Sequence, residues 1–321
     1  MSATRAPVPV SFFSIAVGLL AFGNTWHVGV RLWHLPGDVA QALTLAGLAL
    51  WAALLVLYGR KWMTHRADAI AELRHPVQSA LVALAPVASM LAAVALIPCS
   101  RDAAIALFVV ALAAQLALGL WLNGRMWMGG RPPELVTPAL YLPSVAQSFV
   151  AATASAAFGW TQLGLLFFGV GLFAWLALES LILQHASTGT PLPAPLRPLL
   201  GVQLAPAVVG GGSWMALTTG APDVFAWILL GYGLYQALLL LRLLPWIREQ
   251  GFVPGYWAFS FGTAALPALA MRMVERGATG LVADIAPVVF VAANVVFAIL
   301  IVKTLALLAR GALLPIAAPA A

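Results

Sequence analysis

Ten apolar blocks, separated by short polar or charged stretches, divide the chain. They run at approximately 10–33, 38–58, 76–98, 102–123, 138–159, 162–183, 198–218, 223–246, 254–274 and 282–308. At about 1.5 Å per residue, each is long enough as a helix to cross a hydrocarbon layer of ~30 Å. A transmembrane barrel would show alternating segments of about ten residues instead, and no such alternation is present. The pattern predicts an all-α integral membrane protein with one transmembrane domain over residues 1–321.

The blocks are of two kinds. Odd blocks carry an internal proline, in Leu84-Ala85-Pro86, Tyr141-Leu142-Pro143, Leu204-Ala205-Pro206 and Ala265-Leu266-Pro267, at spacings of 57, 63 and 61 residues. The first block has Gly23 and Asn24 in that place. Odd blocks also hold most hydroxyl and amide residues, such as Ser14, Ser89, Ser144, Gln147, Gln203, Ser260 and Thr263, whereas block four has little beyond Gln115. A recurrence near sixty residues reads as one helical hairpin repeated five times. An interior proline frees a carbonyl and bends the axis. In lipid a freed backbone group is tolerable only where protein or water satisfies it. The odd helices are therefore expected around a central axis, with the straighter even helices facing lipid. The plainer reading of the Ser and Thr residues is adhesion between helices, worth about 0.6 kcal/mol each.

Composition agrees with the membrane reading. Hydrophobic residues make up 63% and charged residues 8%, against about 45–50% and 25% in soluble domains. Cys99 is the lone cysteine, so no intrachain disulfide forms. The apolar run after Arg5 resembles a signal peptide, but it continues to about Trp26 without a clear A-x-A site and reads as a first membrane helix. The net charge of +6 is mostly loop charge. Arg60, Lys61, Arg66, Arg74, Arg125, Arg131, Arg197, Arg242 and Arg248 follow even blocks, and Arg5, Lys303 and Arg310 lie towards the chain ends. Only Arg31, Arg101, Arg272 and Arg276 follow odd blocks. The positive-inside rule then places both termini in the cytoplasm of a multi-pass plasma or bacterial inner membrane protein, and the basic balance needs no nucleic-acid partner.

Enzyme chemistry is not supported. His27, His34, His65, His75 and His185 form no i, i+4 zinc pair, and no H-E-x-x-H or Walker A motif occurs. Gly211-Gly212-Ser213 has no mid-span histidine to serve as its base. No cofactor or metal site is expected.

Block nine is the most unusual. Phe261 stands between Ser260 and Gly262, with Thr263 and Pro267 downstream. A bulky ring among small residues is a candidate plug for a narrow pore, and the alternative is a ring packed in a helix seam. No charged residue lies centrally in an odd block. Asp or Glu rings suit cation pores, and Arg or Lys rings suit tight anion sites. A neutral lining with basic vestibules suits a small anion held weakly. Glu179 and Arg242, in blocks six and eight, are a candidate buried charge pair, although both lie near a cytoplasmic end where side chains can snorkel.

The segments Tyr141-Leu142-Pro143, Leu165-Leu166-Phe167-Phe168-Gly169, Leu183-Gln184-His185, Leu204-Ala205-Pro206-Ala207, Gly231-Tyr232-Gly233, Leu241-Arg242-Leu243-Leu244-Pro245-Trp246 and Trp257-Ala258-Phe259-Ser260-Phe261-Gly262 occur in an order and at intervals that carry a resemblance. The chain resembles the tellurite-resistance and dicarboxylate transporter family over nearly its whole length. It is most like the bacterial TehA branch and is similar to the plant slow anion channel. The resemblance implies ten helices as five hairpins about a pseudo-five-fold axis, a homotrimer with one pore per subunit, and Phe261 as the occluding gate. Ser14 departs from it, since similar proteins often have Gly there. The pore-lining candidates are Ser14 and Gly18, Pro86 and Ser89, Pro143, Ser144 and Gln147, Pro206, and Ser260, Gly262, Thr263 and Pro267. Two functions follow as expectations. One is a gated channel for small inorganic or organic anions. The other is a proton-coupled carrier for C4-dicarboxylate, sulfite or tellurite, with Glu179 as the one obvious proton site.

Overall fold

The computed structural model describes residues 7–130 and 132–314, and all regular structure among them is helical. Arg5 and Arg131, used above to orient the chain, lie outside the described residues. The α-helices in order are α1 (Phe13–Trp33), α2 (Gly37–Thr64), α3 (Arg66–Arg74), α4 (Gln78–Leu81), α5 (Leu84–Leu96), α6 (Arg101–Trp127), α7 (Gln147–Ala157), α8 (Thr161–Thr188), α9 (Ala205–Leu217), α10 (Val224–Ile247), α11 (Ser260–Glu275) and α12 (Leu281–Ala309). Eight helical stretches are long and apolar enough to cross a membrane. The other two expected blocks are helical in pieces. Pro138–Tyr141 is a 3-10 turn and Leu142–Ala146 a π turn leading into α7, and Pro254–Phe259 is a 3-10 segment leading into α11.

Pro86 and Pro206 lie inside the helical stretches Gln78–Leu96 and Ala194–Leu217, as expected, but at places where the helix changes type. Pro86 is the third residue of α5, Pro206 the second of α9, and Pro143 lies in the π turn before α7. The turns before α5 and α9 run directly into them, since Ala85 N–H donates to the Val82 carbonyl and Ala205 N–H to the Val202 carbonyl, so these prolines interrupt a continuous helical run. Of the four, only Pro267 lies well inside an unbroken α-helix. What recurs is a change of helix type. A short 3-10, π or tight turn gives way to regular α-helix at Phe13, Leu84, Gln147, Ala205 and Ser260.

Packing divides the helices into an inner and an outer set. α1 packs on α2, α5 on α6, α7 on α8, α9 on α10 and α11 on α12, which makes five hairpins. Their first members also touch in sequence, α1 to α5, α5 to α7, α7 to α9, α9 to α11 and α11 back to α1, so the inner ring closes. Buried residues make up 67%, 56% and 78% of the apolar stretches of Val10–Trp33, Gln78–Leu96 and Ala194–Leu217, but 17% to 33% of the long outer helices. The outer helices expose large apolar side chains such as Val56, Leu120, Phe173, Leu238 and Val302. Exposed hydrocarbon on this scale is stable only against lipid.

Two glycines set how closely α11 meets its ring neighbours. A Cβ on Gly18 would lie 2.4 Å from Ser260 Oγ and 2.6 Å from Ser260 Cβ, and one on Gly262 would lie 2.8 Å from Leu204 Cβ. Backbones that approach this closely need residues without side chains at the crossing. Gly18→Val is expected to force α1 from α11 and cost about 2 kcal/mol of stability. Thermal unfolding in detergent would read this as a lowered midpoint, and an unchanged midpoint would mean the crossing is slack.

Candidate functional site

Two cavities lie inside the ring. One, of about 400 Å³, occupies the N-terminal half of the inner helices and is lined by Ser14, Leu84, Ala146, Pro206 and Ser260 among others. The second, of about 700 Å³, occupies the C-terminal half, with Asn24, Leu91, Thr153, Gly212 and Ala265 in its wall. Phe261 and Val209 are the residues that line both. The partition between the cavities is therefore apolar.

The local sequence explains why the Phe261 ring stands free. Phe259, two residues earlier, stacks on Tyr256 at 6.2 Å between ring centres and covers Gly201, where a Cβ would come within 2.4 Å of the ring. At 100° per residue, positions two apart on a helix point to nearly opposite sides. Phe259 thus anchors the outer side of this segment while Phe261 projects inward. Among the described residues no other aromatic ring pairs with Phe261.

The charged mouths set the electrostatics. The cavity of 400 Å³ meets all five inner helices near the points where regular α-helix begins. Their N–H groups are already bonded to the preceding turns, as Phe13 N–H is to the Val10 carbonyl, Ala205 N–H to the Val202 carbonyl and Ser260 N–H to the Trp257 carbonyl, so these starts offer few free donors to an anion. At its mouth, Glu72 is neutralised by Lys61, with Nζ to Oε1 at 2.7 Å and side chains 10% and 3% exposed. The opposite mouth collects Arg31, Arg272 and Arg276 with one acid, Glu275. Arg31 pairs with Glu275 at 3.1 Å. Arg276 ties α11 to the end of α9 through the Met215 and Thr218 carbonyls. Arg272 reaches the Gly212 carbonyl at 3.4 Å and Asn24 Oδ1 at 3.5 Å, so of the three it makes the loosest contacts.

Of the expected lining residues, the structure brings together Ser14, Pro206, Ser260 and Phe261. Gly18 and Gly262 are spacers at helix crossings. Ser89 accepts from Trp51 Nε1 at 3.0 Å and donates to the Ala85 carbonyl at 2.9 Å, tying α5 to α2 and not facing either cavity. Gln147 accepts from Gln115 Nε2 on α6. Ser144 is buried, and with Pro86, Pro143 and Pro267 it lines neither cavity. Thr263 borders a separate groove beside α10 and α12. Some hydroxyls act as helix adhesion: Thr25 Oγ1 donates to the Ala264 carbonyl at 2.8 Å, and Ser260 Oγ, bonded chiefly to the Trp257 carbonyl of its own segment, also reaches the Ser14 carbonyl on α1 at 3.4 Å.

Glu179 and Arg242 do not pair. Arg242 is exposed on α10 and forms no ion pair among the described residues. Glu179 instead accepts hydrogen bonds from neutral donors: the Tyr141 hydroxyl, Tyr232 hydroxyl at 2.6 Å, Trp175 Nε1 at 3.0 Å, Gln203 Nε2 at 3.1 Å and Gln236 Nε2 at 3.5 Å. It binds the leads of two inner helices to α8 and α10, and it lines neither cavity. With its lone pairs so engaged, it has no call for a guanidinium.

Basic vestibules were expected, but not that Arg272 would line one, yet a signal for it exists. Phe261, Ala265, Ala268 and Arg272 all line the larger cavity. Their steps of four, three and four residues trace one face of a helix. Extending the face that carries Phe261 by three turns arrives at Arg272.

Comparison with known proteins bears on this arrangement. Residues 7–305 match the family model described as SLAC1, voltage-dependent anion channel. The chain belongs to the SLAC1 family. It is 33% identical over 306 residues to the tellurite resistance protein TehA homolog of Haemophilus influenzae, covering 95% of this chain and 92% of that one. It is 24% identical to the S-type anion channel SLAH3 of Arabidopsis thaliana over 79% of this chain and 41% of the plant protein. An uncharacterised transporter of Methanocaldococcus jannaschii is 22% identical over 70% of this chain. SLAC1 membership accounts for a membrane-embedded protein with anionic cargo and assigns it to transport and not to enzymes.

Proposed function

We propose that this protein is a gated anion channel of the bacterial inner membrane, closed in this structure by Phe261. The single observation that carries the reading is that two internal cavities on one axis meet at the Phe261 ring. An apolar ring offers a passing anion neither hydration nor a binding site, so it blocks by desolvation. The pore runs through the ring of α1, α5, α7, α9 and α11, which are taken with their partners as ten crossings about a pseudo-five-fold axis. Both termini are cytoplasmic in this reading, and three copies form a homotrimer with one pore each.

The carrier alternative needs a titratable group that meets the substrate path. Glu179 was its candidate, and its engagement by five donors away from both cavities argues for the channel. Planar-bilayer recording of the purified protein tests the choice. In the Phe261→Ala protein, current that ignores a proton gradient is expected, with the wild type silent. Flux that saturates and collapses with the proton gradient would overturn the channel reading. The name of the Haemophilus influenzae relative adds tellurite to the anions to be presented.

Arg272 gives a second test within this reading. It stands in the wall of the larger cavity with only two long contacts, and should concentrate anions at that mouth. In a Phe261→Ala background, Arg272→Gln is expected to lower conductance about two- to threefold in dilute salt, with the gap closing near ~1 M, where the Debye length falls to about 3 Å. Equal conductances at every salt concentration would exclude that role.

A further inference from the structure

The outer surface beside α11 carries a third cavity, an apolar groove of about 560 Å³. Its lining runs from Ala237 to Arg248 along α10 and its end, and from Val289 to Lys303 along α12. Phe259, Thr263 and Leu266 form its floor. Leu238, Leu241 and Ile299 on its walls are exposed, as a surface facing lipid requires.

The groove is polarised along its length. Arg248 and Lys303 come last in chain order on their respective walls, and both are exposed. Neither has a carboxylate partner among the described residues. Glu249, next to Arg248, is committed to Arg197. No acidic residue lines the groove. A long hydrocarbon slot ending in two unneutralised cations matches an amphiphile with an apolar tail and a negative head.

We propose that this groove binds one anionic phospholipid, its acyl chain lying between α10 and α12 and its phosphate held by Arg248 and Lys303. The cations belong to the side of the chain where basic loops gather, which the positive-inside rule assigns to the cytoplasmic leaflet, where anionic lipid is found. The tail would lie on the back of the helix whose front carries Phe261. Phe259 and Thr263, which form the floor, are two residues to either side of it.

Native mass spectrometry of the purified protein, with phosphatidylglycerol or phosphatidylcholine of matched chains, tests the assignment without any current. The wild type is expected to retain phosphatidylglycerol preferentially. The double variant R248Q/K303Q should weaken that binding roughly 30-fold, since each basic residue contributes a comparable share of the attraction. It should leave phosphatidylcholine unaffected. Ala292 is exposed and lines the groove, so Ala292→Trp should fill the slot and displace phosphatidylglycerol while sparing both cations. Equal retention of the two lipids by the wild type, or phosphatidylglycerol binding that survives both variants, would overturn the proposal. So would an Ala292→Trp protein that changes its subunit number while its lipid binding is intact, because the groove would then be a seam between copies.

Discussion

Phe261→Ala is expected to give a large, constitutive anion current in bilayers of the purified protein. The ring stands where cavities of about 400 and 700 Å³ meet, and only Val209 shares that position. If burying an anion against the ring costs about 3 kcal/mol more than passing a methyl group, its removal raises conductance on the order of 100-fold. Phe259→Ala is the control. Its ring packs away from the axis on Tyr256 and over Gly201, so its loss should lower stability and leave the current closed. A folded Phe261→Ala protein as silent as the wild type would remove the gate assignment, and opening by both variants would mean that general loosening, not unblocking, produces current.

Glu179→Ala is expected to be the most destabilising single change. Five donors from Tyr141, Trp175, Gln203, Tyr232 and Gln236 converge on that carboxylate. At about 0.6 kcal/mol for each polar contact between membrane helices, the loss sums to about 3 kcal/mol. Glu179→Gln keeps one carbonyl oxygen and should lose about half as much. Denaturation in detergent micelles measures both. A loss of under about 0.5 kcal/mol in the alanine variant would show that water or rearranged partners satisfy the donors. In a Phe261→Ala background neither change should alter proton coupling, since Glu179 borders neither cavity.

Much of the architecture was legible because lipid imposes a strict pattern. Long apolar blocks and the clustering of polar residues on alternate blocks located the inner helices, and the ring of contacts from α1 through α5, α7, α9 and α11 agrees with that division. The meaning of the prolines was not legible. Sequence spacing gives the period of a repeat, but not whether a proline lies within a helix or at a change of helix type. Pro86, Pro143 and Pro206 mark the latter. Side-chain direction was the other gap. Ser89, Gln147 and Thr263 sit on the correct helices but face neighbours or the outer groove. Phe261 drew notice for the converse reason, as the one bulky residue between Ser260 and Gly262, and it borders both cavities. Glu179 misled because a charged group was assigned an oppositely charged partner, whereas a carboxylate within helices is equally well served by tyrosine, tryptophan and glutamine.

The shared wall of the two chambers is a single side chain deep. If Phe261 gates as proposed, sealed and leaky forms of this wall need differ in little more than the rotamer of one residue, and side-chain rotations need no hinge or rearrangement of subunits. Resting tightness is then a matter of how strongly one torsion is biased. On that reading, a modest push on α11, from either end or from behind, would reset how often the chambers join.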